Sequence, residues 1–155
     1  MILNNEIGSS MKLVYQLIED LKNNVQRVVK TQSLTLNDDK PLMGLKGTHG
    51  LFASDEWWES IRQGKIPVQK IEGIVQRAYI AGQDKSAFND MVDLLLDDGS
   101  ICSIGIYTNN KADTELFKPG AKAVIAYALD ELKSQPAPDG GVNYSRVALE
   151  MAVSV

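Results

Sequence analysis

The sequence predicts an α+β fold, in which a small antiparallel β-barrel or curled sheet of the SH3-like or OB-like kind follows an amphipathic helix. Three observations predict it. Apolar residues near the N-terminus recur at helical spacing, later segments alternate with the period of a strand, and the connections are rich in turn residues. We therefore expect one domain over residues 1–155, with an N-terminal helix in 1–32 and a barrel-like β domain in 45–155.

The predicted N-terminal helix carries an apolar stripe with heptad spacing. Ser9 or Ser10 can cap its start, because a hydroxyl accepts hydrogen bonds from amides that lack a partner in the first turn. The stripe consists of Met11, Val14, Ile18, Leu21, Val25 and Val28. Two interpretations stay open: the stripe packs on the domain's own sheet, or it forms the seam of a helix–helix dimer.

A second, shorter helix is predicted between Ser54 and Gly64. Ser54 can cap its start, Gly64 suits the left-handed conformation after its last turn, and Pro67 prevents its continuation. One of its two tryptophans is expected to fill an end of the barrel. If the chain binds a small ligand, the pocket is predicted here, with four binding residues: Trp57, Trp58, His49 and Tyr79.

The rest of the chain predicts about five strands, over 68–80, 88–96, 101–107, 121–129 and 147–155, with a loop at 82–86. Asp98-Gly99 predicts a hairpin with a type I′ turn. In the last strand, one face is predicted to point into the core and Glu150 is predicted to point to solvent. The residues of the core-directed face are Val147, Leu149, Met151, Val153 and Val155.

Charge and hydropathy argue against several classes of partner. The formal net charge is −4, from 16 Lys and Arg against 20 Asp and Glu, and most of the excess lies in the predicted barrel. Binding to phosphates requires clustered cations, so nucleic acid is not expected as a partner. The apolar runs are much shorter than the ~20 residues that cross a bilayer. Without a membrane span or a signal peptide, a cytoplasmic location is expected.

Side chains for catalysis or metal binding are few. His49 is the single histidine and Cys102 the single cysteine, so a four-ligand zinc site would need two carboxylates as well. We expect His49 to be a loop residue and Cys102 to be a small buried hydrophobe. No cofactor and no metal site are expected. A non-enzymatic role is favoured, while a pair of carboxylates that converge in space stays open.

Three hypotheses for function follow. The first is a non-enzymatic interaction or assembly module that binds itself as a homodimer or binds another protein, because a heptad helix, adjacent tryptophans and an open strand edge are typical of interfaces. The second is a small ligand-binding or hydrolytic β-barrel with a pocket near Trp57 and Trp58. The third is an acidic inhibitor of a basic partner, as an immunity protein is for a nuclease toxin, and it is supported by size and charge.

Overall fold

The computed structural model describes residues 2–81 and 88–155, so the loop predicted at 82–86 lies outside the described residues. Those residues form a six-stranded sheet with the strand order β1-β6-β5-β2-β3-β4. The elements are β1 (Met11–Gln16), α1 (Leu17–Lys22), α2 (Val25–Leu36), α3 (Asp55–Arg62), β2 (Val68–Tyr79), β3 (Met91–Leu95), β4 (Ile101–Gly105), a 3₁₀ helix (Lys111–Leu116), β5 (Lys122–Glu131) and β6 (Tyr144–Ser154).

The α+β class and the antiparallel sheet are confirmed. β1 pairs with β6, β2 with β3, and β3 with β4, each antiparallel. In the described residues the sheet is not closed into a barrel, since β1 and β4 stand at the two ends of the strand order. The SH3-like or OB-like type stays a prediction.

The segment expected to begin the N-terminal helix is a strand. Met11–Gln16 forms β1, and the register of β1 on β6 shifts between Leu13 and Tyr15. This β-bulge adds one residue to the strand, so both Val14 and Tyr15 are buried. Because the bulge breaks the alternation of a strand, the apolar residues recur at the three-to-four spacing of a helix. The helix predicted over 11–16 is therefore wrong.

The six residues of the predicted seam are divided among β1, α1 and α2 and do not form one helical stripe. The structure buries Val14 and Leu21, exposes Ile18 and Val25, and leaves Met11 and Val28 half buried. The heptad geometry predicted for them is therefore wrong. Self-association of the chain stays a prediction.

The hairpin predicted at Asp98-Gly99 is confirmed, with a different turn. The amide of Gly99 donates to the carbonyl of Leu96 at 3.0 Å, and the amide of Leu96 donates to the carbonyl of Ser100 at 2.9 Å. Gly99 has a φ of +85°, and Asp98 is not in the left-handed region. The loop is therefore a type I turn followed by a left-handed glycine, which needs one residue more than the predicted type I′ turn.

Strand β6 lies between β1 and β5 in the sheet, and all its residues from Val147 to Val153 are buried, so neither face of that stretch is open to solvent. The core-directed face is confirmed except at Val155, which lies beyond the strand end and is exposed. Glu150, predicted to point to solvent, is only 6% exposed. Its Oε1 atom accepts hydrogen bonds from the backbone amides of Ile2 and Leu3 at 2.8 and 2.9 Å. The solvent-facing orientation predicted for Glu150 is wrong.

The chain forms two compact units. Unit 1 comprises Met1–Asp20, Lys70–Ala126 and Ala148–Val155, and unit 2 comprises Leu21–Gln69 and Tyr127–Val147. The single domain expected over 1–155 stays a prediction.

No helix within residues 2–81 and 88–155 has both the length and the apolar character needed to cross a membrane.

Candidate functional site

The two tryptophans predicted to bind a ligand lie in unit 2, and Trp57 is part of its core. Trp57 is fully buried, and its indole Nε1–H donates to Oδ2 of Asp130 on β5 at 2.9 Å. The ring of Phe52 lies 5.1 Å from the Trp57 ring, and that of the half-buried Trp58 lies 4.8 Å from it, both edge-on. Trp57 thus fixes α3 to β5. Its indole has neither an exposed surface nor an unpaired N–H to offer a ligand.

Asp130 is a buried carboxyl group at the end of this contact. Burial raises the pKa of Asp130 above its ordinary value, because the charged form loses its hydration. The hydrogen bonds from the Trp57 indole and from the backbone amide of Glu131 oppose that effect. A buried carboxylate without such donors would be costly, so the Trp57–Asp130 bond has a structural role.

His49 belongs to the loop that leads into α3 and is half buried. Its backbone carbonyl accepts a hydrogen bond from the hydroxyl of Ser60 at 2.9 Å. The next residue, Gly50, has a φ of +110°, and a Cβ there would lie 2.8 Å from the backbone nitrogen of Trp57. The loop is therefore held by its backbone. Tyr79, which was predicted to line the same pocket as His49, lies in unit 1. The ligand-binding role predicted for the four residues stays a prediction.

Metal binding finds no support in residues 2–81 and 88–155, where no group of three or more His, Cys, Asp or Glu side chains is placed to hold an ion. Cys102 lies on β4 and is half buried, where the sequence predicted full burial.

Unit 1 presents a second candidate site, which we call the outer face. It consists of the residues of β2, β3 and β4 that share the side of the sheet carrying Asp93: Ile74, Arg77, Tyr79, Met91, Asp93, Leu95, Ile101, Ser103 and Gly105. The strand register arranges them in three rows, which are centred on Leu95, Asp93 and Met91 of β3. Sequence analysis placed only Tyr79 of this set in a site.

The middle row of the outer face is a hydrogen-bond network around Asp93. Its carboxylate accepts from Arg77 Nε at 2.7 Å, from the hydroxyl of Ser103 at 2.6 Å and from the hydroxyl of Tyr79 at 3.2 Å. The bond from Arg77, followed by that from Ser103, lowers the pKa of Asp93 below its ordinary value. The guanidinium carbon of Arg77 also lies 4.3 Å from the centre of the Tyr79 ring. Arg77 is therefore held in one orientation although its side chain is 65% exposed.

The row centred on Leu95 is apolar and open to solvent. Ile74 faces Leu95, and Leu95 faces Ile101 on the next strand. Their exposed fractions are 39%, 37% and 55%. The row crosses three neighbouring strands next to the β3–β4 turn, and adjacent large aliphatic side chains that are exposed together are typical of a contact surface.

A protein-family model described as immunity protein RhsI2 matches residues 11–154. The match begins at the first residue of β1 and ends at the last residue of β6, so it includes every helix and strand of the described chain. No curated protein matches the chain. Since the family model covers far more than half of its residues, the chain belongs to the family of immunity protein RhsI2.

Proposed function

We propose that the chain is an immunity protein that binds a toxin protein and blocks its action. The observation that carries the proposal is the match of the RhsI2 immunity family over residues 11–154. Of the three hypotheses drawn from the sequence, it supports the inhibitor. The interaction-module hypothesis is compatible with it, because an immunity protein acts by binding another protein.

Inhibition of this kind needs a contact surface and no reaction. The outer face of unit 1 combines an ordered arginine, a tyrosine and an exposed apolar row. Arginine and tyrosine are among the residues that contribute most to binding energy in protein interfaces. These residues of the outer face are therefore of the types that protein interfaces use.

Charge supports a toxin with a basic contact surface. The sequence of unit 1 has seven Lys and Arg against twelve Asp and Glu, whereas that of unit 2 has nine against eight. The acidic excess of the chain therefore belongs to unit 1. A nuclease toxin would complement it, because enzymes that act on nucleic acid carry Lys and Arg for the phosphates. Opposite charges also increase the rate of association.

The test uses the toxin that this chain would neutralise. A cell that makes a toxin must also make its inhibitor, so we expect the toxin domain to be encoded beside this chain. Induction of that domain in a susceptible bacterium should stop growth, and co-expression of the full chain should restore it. The two purified proteins should then elute together as a complex in size-exclusion chromatography.

The control is the same chain with Trp57→Ala, which should fail to fold because it removes the fully buried indole that packs on Phe52 and donates to Asp130, and should therefore fail to protect. If the wild-type chain is soluble in the cell, growth still stops, and the purified proteins elute separately, the proposed function is wrong.

A further inference from the structure

The outer face has the composition of an interface centre. Its Leu95 row offers three aliphatic side chains that neighbouring strands hold at fixed spacing. Burial of exposed apolar area favours association. Because the strands are already ordered, the row loses little conformational freedom when a partner covers it.

Arg77 adds a charged anchor next to this apolar row. Its Nε–H donates to Asp93 and its guanidinium carbon lies over the Tyr79 ring, while 65% of the side chain is exposed, so the guanidinium is held in place and is open to a partner. A guanidinium can donate two parallel hydrogen bonds to a carboxylate. Since its orientation is set before binding, Arg77 pays little of the entropy that a mobile arginine loses.

Acidic residues lie on the side of the apolar row that faces away from Arg77. Leu95 and Ile101 flank the β3–β4 turn, which carries Asp97 and Asp98, both exposed. The Asp98 carboxylate accepts hydrogen bonds from the hydroxyl and the amide of Ser100, at 2.5 and 2.9 Å, so its position is fixed. Along the sheet the order is therefore acidic turn, apolar row, arginine. A complementary surface would show basic groups, an apolar centre and an acceptor in the same order.

An open groove continues the surface on the far side of Arg77. It has a volume of about 430 Å³ and is lined in part by Arg77, Phe117, Lys118 and Pro119, all of unit 1. A protruding side chain of a partner could enter it while the partner covers the apolar row.

We propose that the toxin docks on the outer face of β2, β3 and β4, with an apolar patch over Ile74, Leu95 and Ile101, basic side chains facing the β3–β4 turn, and a carboxylate or carbonyl facing Arg77. This inference rests on the proposed function and adds the surface and the chemistry of the partner. The docking surface lies in the acidic unit, which agrees with a basic toxin.

The competing surface is the outer stripe of α2 in unit 2. Val25, Val29 and Leu36 lie within about 40° of one another around this helix, and all three are exposed. This stripe lacks an ordered arginine, and the unit to which it belongs has a net charge of +1 from its Lys, Arg, Asp and Glu residues. A basic toxin would find no complementary charge there, so the outer face is the better docking surface for it.

The test compares matched substitutions on the two surfaces. Ile101→Lys places a cation in the apolar row, and Val29→Lys makes the same change of chemistry on α2, at side chains that are 55% and 48% exposed. Both variants would be titrated by calorimetry against the neighbouring toxin domain, inactivated by a substitution selected for loss of toxicity. Thermal unfolding would establish that each variant is folded. We expect Ile101→Lys to weaken binding by about 30-fold or more, and Val29→Lys to change it less than about threefold.

Arg77→Ala and Arg77→Lys should weaken binding as well, because lysine keeps the charge without the planar donor pair. If Ile101→Lys does not fold, hydrogen exchange of the wild-type complex replaces it. The amides of β4 should then be protected by the toxin and those of α2 should not.

The outcomes separate the surface from the function. If the wild-type chain binds the toxin and a folded Ile101→Lys binds equally well, or if toxin protects α2 and leaves β4 unprotected, the docking surface is wrong while the proposed function stands. If the wild-type chain itself neither binds nor protects, both are wrong.

Discussion

The Oε1 atom of Glu150 lies 2.9 Å from the backbone nitrogen of Leu3, 147 positions earlier in the chain. The same oxygen accepts from Ile2, and Leu3 is fully buried. Leaving a buried donor without a partner costs about 1–3 kcal/mol. We therefore expect Glu150→Ala to lower the free energy of unfolding by about that amount, measured by urea denaturation. Glu150→Gln, which keeps an oxygen acceptor, should lose less. Equal stability of wild type and Glu150→Ala would contradict the role of this carboxylate.

The buried Asp130 predicts a pH dependence. Its pKa is raised above the ordinary value of 3.8, so the folded state holds the proton more tightly than the unfolded chain does. The contribution of Asp130 to the free energy of unfolding must then decrease as pH rises from about 3.8 through the raised pKa, and level off above it. Asp130→Asn removes this titration. Urea denaturation between pH 4 and pH 7 should show a smaller loss for the variant than for the wild type, and parallel curves would refute the assignment.

Removal of the C-terminal part of β6 should prevent folding. A chain cut after Ala148 loses the part of β6 that pairs with β1, together with the buried side chains of Leu149, Met151 and Val153. Loss of one large aliphatic core side chain costs about 2–5 kcal/mol, against a total stability of about 5–15 kcal/mol for a domain. We expect the truncated chain to be unfolded or insoluble by circular dichroism. Cooperative melting near the full-length temperature would show that the strand is dispensable.

His49 and Cys102 should be dispensable together. His49 makes its described hydrogen bond through its backbone carbonyl, which alanine keeps, and Cys102 is only half buried. The double variant His49→Ala with Cys102→Ala should bind the toxin with wild-type affinity and should melt within a few degrees of the wild type. Loss of binding at an unchanged melting temperature would point to a chemical role for one of them.

We expect the chain to form homodimers through the exposed side of α2. No residue of α2 is buried, and its outer stripe of Val25, Val29 and Leu36 is exposed. Sedimentation equilibrium at micromolar concentration should show dimers in the wild type and monomers in Val29→Lys. A mass of one 17.0 kDa chain at every concentration would contradict the prediction of homodimers.

Local signals in the sequence were sufficient for some elements. The helix α3 begins where Ser54 was expected to cap it, and the Ser54 hydroxyl accepts from the amide of Trp57 at 3.2 Å. The β3–β4 hairpin follows from a glycine whose left-handed conformation other residues rarely adopt. Both depend on residues within a few positions of each other, and such effects can be read without knowing the rest of the fold.

Features that depend on contacts between residues far apart in the chain could not be predicted from the sequence. The bulge at Val14 exists because of the register of β1 on β6, and no residue near Val14 indicates it. Glu150 looks like a solvent-facing residue until the amides of Ile2 and Leu3 are placed beside it. The outer face was missed for the same reason. Only the register of β2 on β3 brings Arg77 and Asp93 together.

The pairing of β1 with β6 has a consequence for the time course of folding. Met11 faces Ser154, so the β1–β6 ladder joins two segments separated by nearly the whole described sequence. Contacts between distant segments slow folding, because the entropy of closing the loop must be lost before the ladder forms. During synthesis, β1 must wait until β6 has left the ribosome. The sheet of a newly made chain is therefore completed only after its last strand has been synthesised.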